Sequence, residues 1–186
     1  MKRAIIVPAA PTPEALAELK QWLAIASSRD DPGLARLIGT SLDMFEDFTG
    51  RIPLEATFEE VLPAGGAWQR LSSRPVTAVL GVEAVEAVET VGAAGARSRL
   101  PAEAAMIELT ADESATVRVL HPVASGRIAV RFVAGLASGW SELPEGLRHG
   151  LIRCAAHLHQ AAAGSGEQLP AAVAALWRPW RRMRLS

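Results

Sequence analysis

The residues whose types and spacing best fit metal chemistry lie between positions 149 and 159. Cys154 and His157 are three positions apart, so they share one face of a helix, and His149 and His159 are close to them in sequence. However, His159 lies about 200° around a helix from His157, and no second cysteine could complete a tetrahedral zinc site. We therefore predict no metal site. The pattern favours Cys154 as a small apolar core residue and the histidines as residues at a helix boundary or a subunit contact.

Neighbouring acids are the other residues that could carry catalysis, as a general acid and base. They occur at Asp30-Asp31, Glu59-Glu60 and Asp112-Glu113. Asp31 precedes a proline at a predicted helix start, and Glu59 and Glu60 point to opposite faces of a predicted strand. The sequence also lacks the motifs G-x-S-x-G, H-E-x-x-H and C-x-x-C and a phosphate-binding P-loop. We predict no catalytic residues, no cofactor and no enzymatic activity.

A different chemistry is concentrated at the C-terminus, in residues 177–185. Two tryptophans, four arginines, a methionine and a leucine occur there, and no acid follows Glu167. Tryptophan and arginine are enriched at energetically important protein interfaces. We predict a partner interface formed by Trp177, Arg178, Trp180, Arg181, Arg182 and Arg184. Two alternatives stay open: the tryptophans pack on the core while the arginines remain in solvent, or the segment contacts nucleic acid.

Length and composition indicate the domain organisation of the chain and the distribution of its charge. The chain has 186 residues, a net charge of −1 and 49% hydrophobic residues, which fits a single domain with an inserted part. Residues 52–113 hold ten acids and four arginines, whereas residues 114–186 hold nine arginines and three acids. This asymmetry suits faces of opposite sign that dock on another protein or another copy, with ordinary solvated faces as the alternative. The absence of an apolar run of about 20 residues predicts no membrane span, and a single cysteine fits a reducing compartment.

Residues 1–51 are predicted to form an extended start and a helix pair. Thr12-Pro13-Glu14 has the hydroxyl cap, early proline and acid of a helix start. Asp31-Pro32 starts a second helix in the same way, and Gly50 fits its end. The apolar stripes at helical spacing are Leu16, Leu19 and Leu23 in the first helix, and Leu34, Leu37, Ile38, Leu42, Phe45 and Phe48 in the second.

Short strands separated by glycine and proline are predicted in residues 52–134, and helices in residues 141–186. The predicted strands are Thr57–Leu62, Val76–Leu80, Ala105–Leu109, Thr116–Leu120 and Arg127–Val133. Valines every three positions from Val82 to Val91 fit neither a strand nor a helix well. Pro144-Glu145 opens a helix, and a shorter one runs from about Pro170 through Trp177. The predicted fold class is α+β: one domain, residues 1–186, with a helical scaffold and a strand-rich antiparallel insert.

Several stretches occur in a fixed order along nearly the whole chain. They are residues 11–23, 30–51, 74–76, 130–136, 143–158 and 169–185. In this order they resemble the head–tail connector (head-completion adaptor) proteins of tailed bacteriophages and gene transfer agents.

The resemblance implies a structural protein without catalytic residues. Family members form a ring, usually of twelve copies, beneath the portal protein, and the ring extends a channel through which DNA passes without sequence recognition. The ring also provides a platform for the tail or a stopper protein. The resemblance further implies that residues 177–185 dock on the portal, in a virion or gene transfer agent particle assembled in the bacterial cytoplasm, with no membrane partner. The competing hypotheses are another interaction module associated with nucleic acid and a small enzyme of unrecognised type.

Overall fold

The computed structural model describes residues 2–9, 12–85, 97–121, 126–161 and 169–181. The chain divides into two compact units. The strand unit is Met1–Pro8 with Ala56–Gly135, and the helical unit is Ala9–Glu55 with Leu136–Ser186. Helices and antiparallel sheets are thus separated along the chain, which confirms the predicted α+β class. None of the helices within the described ranges has the length and apolar composition needed to cross a membrane.

The helices of the helical unit begin and end largely where the sequence predicts. They are α1 (Pro13–Leu23), α2 (Asp31–Thr49), α3 (Glu145–Ala161) and α4 (Ala171–Trp177), with 3-10 turns at Trp140–Glu142 and Arg178–Trp180. The Thr12 hydroxyl accepts a hydrogen bond from the Ala15 N–H, as predicted for the start of α1. Gly50 ends α2 in the left-handed conformation, with φ of 72°, which glycine adopts without steric cost.

The apolar stripes of the four helices meet in one core. The fully buried members with large side chains are Leu19, Leu34, Ile38, Phe45, Leu147, Leu151, Ile152 and Trp177. Leu37 and Phe48, which the sequence places in the α2 stripe, lie at its margin and are half-buried. The consequence is a core that includes a tryptophan from the C-terminal end of the chain.

The strand unit has eight strands within the described residues. They are β1 (Lys2–Val7), β2 (Ala56–Pro63), β3 (Gln69–Arg70), β4 (Val76–Val85), β5 (Arg97–Arg99), β6 (Ala105–Leu109), β7 (Ala115–Val119) and β8 (Arg127–Ala134). One antiparallel sheet has the order β1-β2-β8-β4-β5, and the other has the order β3-β7-β6. All five predicted strands are present. The ambiguous valine stretch joins β4 as far as Val85, and its remainder lies outside the described residues.

The first strand is placed differently from the simplest interpretation of the sequence. The sequence predicts residues 1–11 to be extended and groups them with the helix pair of residues 1–51. In the structure, β1 is extended, pairs with β2 and belongs to the strand unit. The core of this unit includes Phe58 of β2 stacked on Phe132 of β8, with ring centroids 5.7 Å apart. Because side chains alternate along β8, Ile128, Val130 and Phe132 share one face, and all three are buried.

Candidate partner-binding surfaces

The C-terminal segment that the sequence singles out begins inside the core. Trp177, the last residue of α4, is fully buried. Its ring lies edge-on to Phe45, with centroids 5.4 Å apart, and 6.2 Å from the ring of Phe48. A Cβ atom added at Gly150 of α3 would come within 2.4 Å of the indole Nε1. Trp177 is therefore part of the core of the helical unit.

The residues after Trp177 turn outward. Arg178 and Arg181 are exposed, whereas Trp180 is half-buried. The Arg51 guanidinium lies 6.0 Å from the centroid of the Trp180 ring, and burial lowers the pKa of Arg51. Cation–π contacts of this kind favour a fixed arrangement of ring and guanidinium. Arg182 and Arg184, which the sequence predicts in the same interface, lie outside the described residues.

A second cation–π contact is formed by Arg181. The Arg181 guanidinium lies 5.0 Å from the centroid of the Phe48 ring, which also neighbours Trp177. Arg178 and Arg181 are thus exposed, and Arg181 lies against the half-buried ring of Phe48. Planar guanidinium groups form forked hydrogen bonds with carboxylates and phosphates. The arrangement suits an acidic partner surface that covers Trp180.

Acidic residues from each of the three acid pairs form hydrogen bonds or ion pairs with neighbouring parts of the fold. Glu59 accepts hydrogen bonds from Arg97 at 2.8 Å and Arg131 at 3.3 Å, and the hydrogen bond from Arg97 is the main reason that the pKa of Glu59 is lowered. Glu60 is fully buried and accepts hydrogen bonds from the N–H and hydroxyl of Ser72. Both residues therefore bind neighbouring parts of the strand unit.

The other acid pairs also hold local structure. Hydroxyl groups of Thr110 and Ser114 donate to Asp112 and hold its pKa far below the ordinary value. Asp31 at the start of α2 forms an ion pair with Lys20 of α1 at 2.7 Å. Asp31 is thus paired as the first residue of α2, and Asp112 is hydrogen-bonded within the turn between β6 and β7.

The cysteine and histidine residues are not gathered into a metal site. Cys154 is fully buried, with its Sγ 3.7 Å from the Sδ of Met44, and burial raises its pKa to about 11. His159 is exposed, while His149 and His157 are half-buried. Within the described part of the chain, no three or more His, Cys, Asp or Glu side chains are grouped so as to hold a metal ion.

Three solved structures are similar to the chain over its whole length. No protein-family model and no curated protein matches the sequence. A chain in the neck of an empty gene transfer agent particle, computed with C6 symmetry, is 25% identical, with a TM-score of 0.76. The match covers 100% of this chain and 98% of that one. The chain has the fold of a gene transfer agent neck protein.

Two further structures share this neck-protein fold. A chain in the neck of a native particle, computed with C12 symmetry, is 24% identical with a TM-score of 0.75, and one in the virion of a native particle is 23% identical with a TM-score of 0.74. Each match again covers 100% of this chain and 98% of the other. The resemblance to head–tail connector proteins is therefore confirmed.

The neck-protein fold also exposes large apolar side chains whose exposure the sequence motifs do not indicate. Trp22 at the end of α1 is half-exposed, and its ring lies edge-on to His149, 5.3 Å away. In the strand unit, β1 and β6 expose large apolar side chains, which are Ile5, Ile6, Val7, Met106, Ile107 and Leu109. The alternation of side chains along a strand indicates its two faces but does not indicate whether another strand covers its backbone edge. From the sequence alone, these residues are therefore indistinguishable from other strand residues.

Proposed function

We propose that the protein is a structural head–tail adaptor of a phage-like or gene transfer agent particle. The observation that carries this proposal is the match of both units, over 100% of the chain, to a neck protein at a TM-score of 0.76. In this role, copies form a ring beneath the portal, extend the DNA channel and offer a platform to the tail or a stopper protein. The acid and cysteine contacts described above supply structure and fit a role without catalysis.

A ring requires heterologous contacts, in which one surface of each copy meets a different surface of the next. Neck assemblies with C6 and C12 symmetry contain chains of this fold, which supports such an arrangement here. The uneven charge also supports it, because residues 52–113 carry a net −6 and residues 114–186 a net +6. Opposite charges on different surfaces favour head-to-tail contact between copies over contact between identical surfaces.

The C-terminal segment is the proposed contact with the portal. Trp177 fixes the base of the segment in the core, and Trp180 with Arg178 and Arg181 forms the surface that a partner would cover. A half-buried tryptophan ring can be covered further without large loss of side-chain entropy. Carboxylates on the partner would pair with the arginines, and Arg182 and Arg184 are proposed to extend the same contact.

The experiment that tests the adaptor role is removal of the protein from a cell that produces the particles. We expect DNA-containing heads without tails by electron microscopy, and recovery of tailed particles when the wild-type chain is supplied. Tailed particles of normal number in the absence of the chain would refute the proposal. Purified chain that bound duplex DNA with strong salt dependence, alongside normal tails, would favour the nucleic-acid module instead.

The proposed portal contact has its own test. Reversing both charges, with Arg178→Glu and Arg181→Glu, should lower the melting temperature only slightly. Both side chains are exposed, and an exposed cation–π contact such as that of Arg181 with Phe48 contributes about 0.5–1 kcal/mol. Loss of paired charges at an interface costs about 2 kcal/mol or more, so attachment to portal-bearing heads should weaken about 30-fold. Arg29→Glu with Arg36→Glu, exposed arginines elsewhere in the helical unit, is the matched control. Equal attachment by both double variants would remove the C-terminal segment from the portal contact.

A further inference from the structure

Two strands of the strand unit have a backbone edge that no described strand covers. β1 is the outermost strand of the five-stranded sheet, and β6 is an outermost strand of the three-stranded sheet. Such an edge presents unpaired N–H and C=O groups, which proteins usually protect with prolines, charges or very short strands. β1 has six residues and β6 has five, and neither contains a proline. β1 does carry the charges of Lys2 and Arg3, β6 carries Glu108, and the β1–β2 ladder has an irregularity between Ile5 and Val7. The backbone groups of β1 before this irregularity and those of β6 can pair with another strand.

The side chains on these edges are apolar and exposed. The exposed fractions are 54% for Ile5, 57% for Val7, 52% for Met106 and 55% for Leu109. Covering apolar surface is favourable by about 25 cal/mol for each Å² removed from water. Strand pairing at either edge would thus add buried apolar contacts to new backbone hydrogen bonds.

The hydrogen-bond pattern shows which groups of β6 face outward. The Ala104 carbonyl accepts from the Leu120 N–H at 2.9 Å, and the Thr110 N–H donates to the Ser114 carbonyl at 2.8 Å. Even-numbered residues therefore pair with β7, since antiparallel pairs alternate between hydrogen-bonded and non-hydrogen-bonded positions. The N–H and C=O groups of the odd-numbered residues point to the open edge; these residues are Ala105, Ile107 and Leu109.

The same reasoning identifies the outward groups of β1. The Ala64 N–H donates to the Gly126 carbonyl at 2.8 Å, which continues the β2–β8 ladder and assigns the even-numbered residues of β2 to β8. The odd-numbered residues of β2 then pair with β1. Ala4 lies opposite Glu59, so Ala4 is turned inward and the backbone groups of Ile5 face the open edge.

The two edges lie on opposite sides of the strand unit. β6 contacts β4, and β2 and β8 separate β4 from β1 in the first sheet. At about 4.8 Å per strand, β4 is about 14 Å from β1. On the β1 side, the Arg3 guanidinium donates to the Ser73 hydroxyl, in the segment that follows β3. A contact between the β1 edge and the β6 edge must therefore join two copies through different surfaces.

Sequence and charge make the two edges complementary. β1 begins with the basic residues Lys2 and Arg3, whereas β6 carries Glu108. An antiparallel register with Ile5 opposite Ile107 joins two outward-facing positions. It also sets Lys2 diagonal to Glu108, in the part of β1 that precedes the irregularity between Ile5 and Val7. Apolar pairs and opposite charges across neighbouring strands each stabilise a sheet.

On the basis of the ring proposed above, we propose that β1 of one copy pairs antiparallel with β6 of the next copy, with Ile5 opposite Ile107. The pairing joins the sheets of adjacent copies, and each copy offers one edge to either neighbour. Because the two edges differ, the contact is heterologous and repeats until the ring closes.

A disulfide test follows from this register. The full-length chain with Ile5→Cys and Ile107→Cys is concentrated, oxidised and run on a denaturing gel without reductant, while electron microscopy of the same sample records rings. Cα atoms of a hydrogen-bonded antiparallel pair lie about 5.5 Å apart, which a disulfide can span. Free thiols are alkylated as the sample is denatured, because denaturation exposes the thiol of Cys154, which is buried in the fold. We expect a ladder of linked copies from the double variant and none from either single variant, which can form at most linked dimers.

The outcomes separate the strand pairing from the ring. Rings without a ladder would overturn the β1–β6 pairing and leave the adaptor role standing. A ladder without closed rings would support the pairing and contradict the ring. The absence of both ladder and rings would overturn both.

A proline variant provides a second measurement. Ile107→Pro removes an N–H that faces the open edge and keeps the ladder to β7, so the variant should fold and fail to form rings. Met106→Pro is the matched control, because it removes an N–H that β7 uses and should lower the melting temperature. A folded Ile107→Pro protein that formed normal rings would refute the pairing.

Discussion

Replacing Gly150 by alanine should destabilise the protein, although alanine is the better helix former. Gly150 lies inside α3, where alanine normally gains about 0.5–1 kcal/mol over glycine. Here the added Cβ would lie 2.4 Å from Nε1 and 2.9 Å from Cδ1 of Trp177. The fully buried indole packs against Phe45 and Phe48, so it must move by about 1 Å within a closely packed core.

The magnitude follows from these opposing effects. Overpacking a core costs about 1–3 kcal/mol, and a contact 1 Å too short with a rigid ring belongs at the upper end. After the gain in helix propensity, the expected loss in the free energy of unfolding is about 2 kcal/mol. For a chain of this size, the melting temperature should fall by about 4–8 °C.

Thermal denaturation followed by circular dichroism measures the effect, with Gly39→Ala as the matched control. Gly39 lies inside α2 and nothing lies within 4 Å of an added Cβ, so this variant should melt at or above the wild-type temperature. Adding Trp177→Phe to Gly150→Ala should recover part of the loss, since the smaller ring removes the contact. A Gly150→Ala protein as stable as wild type would refute the packing of Trp177 against α3.

Three further predictions concern the cores and the charges. Leu151→Ala should cost about 2–5 kcal/mol in urea denaturation because Leu151 is fully buried, and the half-buried Leu37→Ala should cost less; equal losses would contradict the assigned helix faces. Glu59 has a lowered pKa in the fold, so its stabilisation is present above the unfolded pKa of about 4.3 and is lost as pH falls below it. Glu59→Gln should therefore be less stable than wild type at pH 7, and the difference should shrink as the pH falls below about 4.3. A difference that stays constant with pH would contradict the ion pairs. The Cys154 thiol, with a pKa raised to about 11, should react with a thiol reagent at pH 8 only after denaturation, and rapid reaction of the folded chain would contradict its burial.

Local signals in the sequence were sufficient for most elements of the fold. Thr12 and Gly50 mark helix ends through backbone chemistry that depends on near neighbours alone, so their roles could be predicted. The alternation in β8 likewise places Ile128, Val130 and Phe132 on one face, and the structure shows that these three residues are buried. Leu37 was placed in the α2 stripe but is only half-buried, because the width of a buried face depends on the helices that pack on it.

Contacts between distant parts of the chain could not be predicted. Trp177 and Trp180 are three residues apart and look equivalent in sequence, yet one is in the core and the other is half-exposed. Gly150, 27 positions before Trp177, has no side chain and so leaves room for the Trp177 ring in the core. No local pattern in the sequence connects Gly150 with Trp177. The open edges of β1 and β6 depend on strand order, which hydrophobic alternation does not encode.

The two points where the chain leaves and re-enters the helical unit lie side by side. Leu54 and Ala137 form a β-bridge, the Glu55 N–H donates to the Ala137 carbonyl at 2.9 Å, and the Leu136 N–H donates to the Ile52 carbonyl at the same distance. A tight turn of a few residues could close this gap. The strand unit is thus a module that evolution or an engineer could excise or exchange at one splice point, while the backbone path of the four-helix core is kept. β1 would have to be removed separately at the N-terminus, because β2, the strand with which it pairs, would be absent.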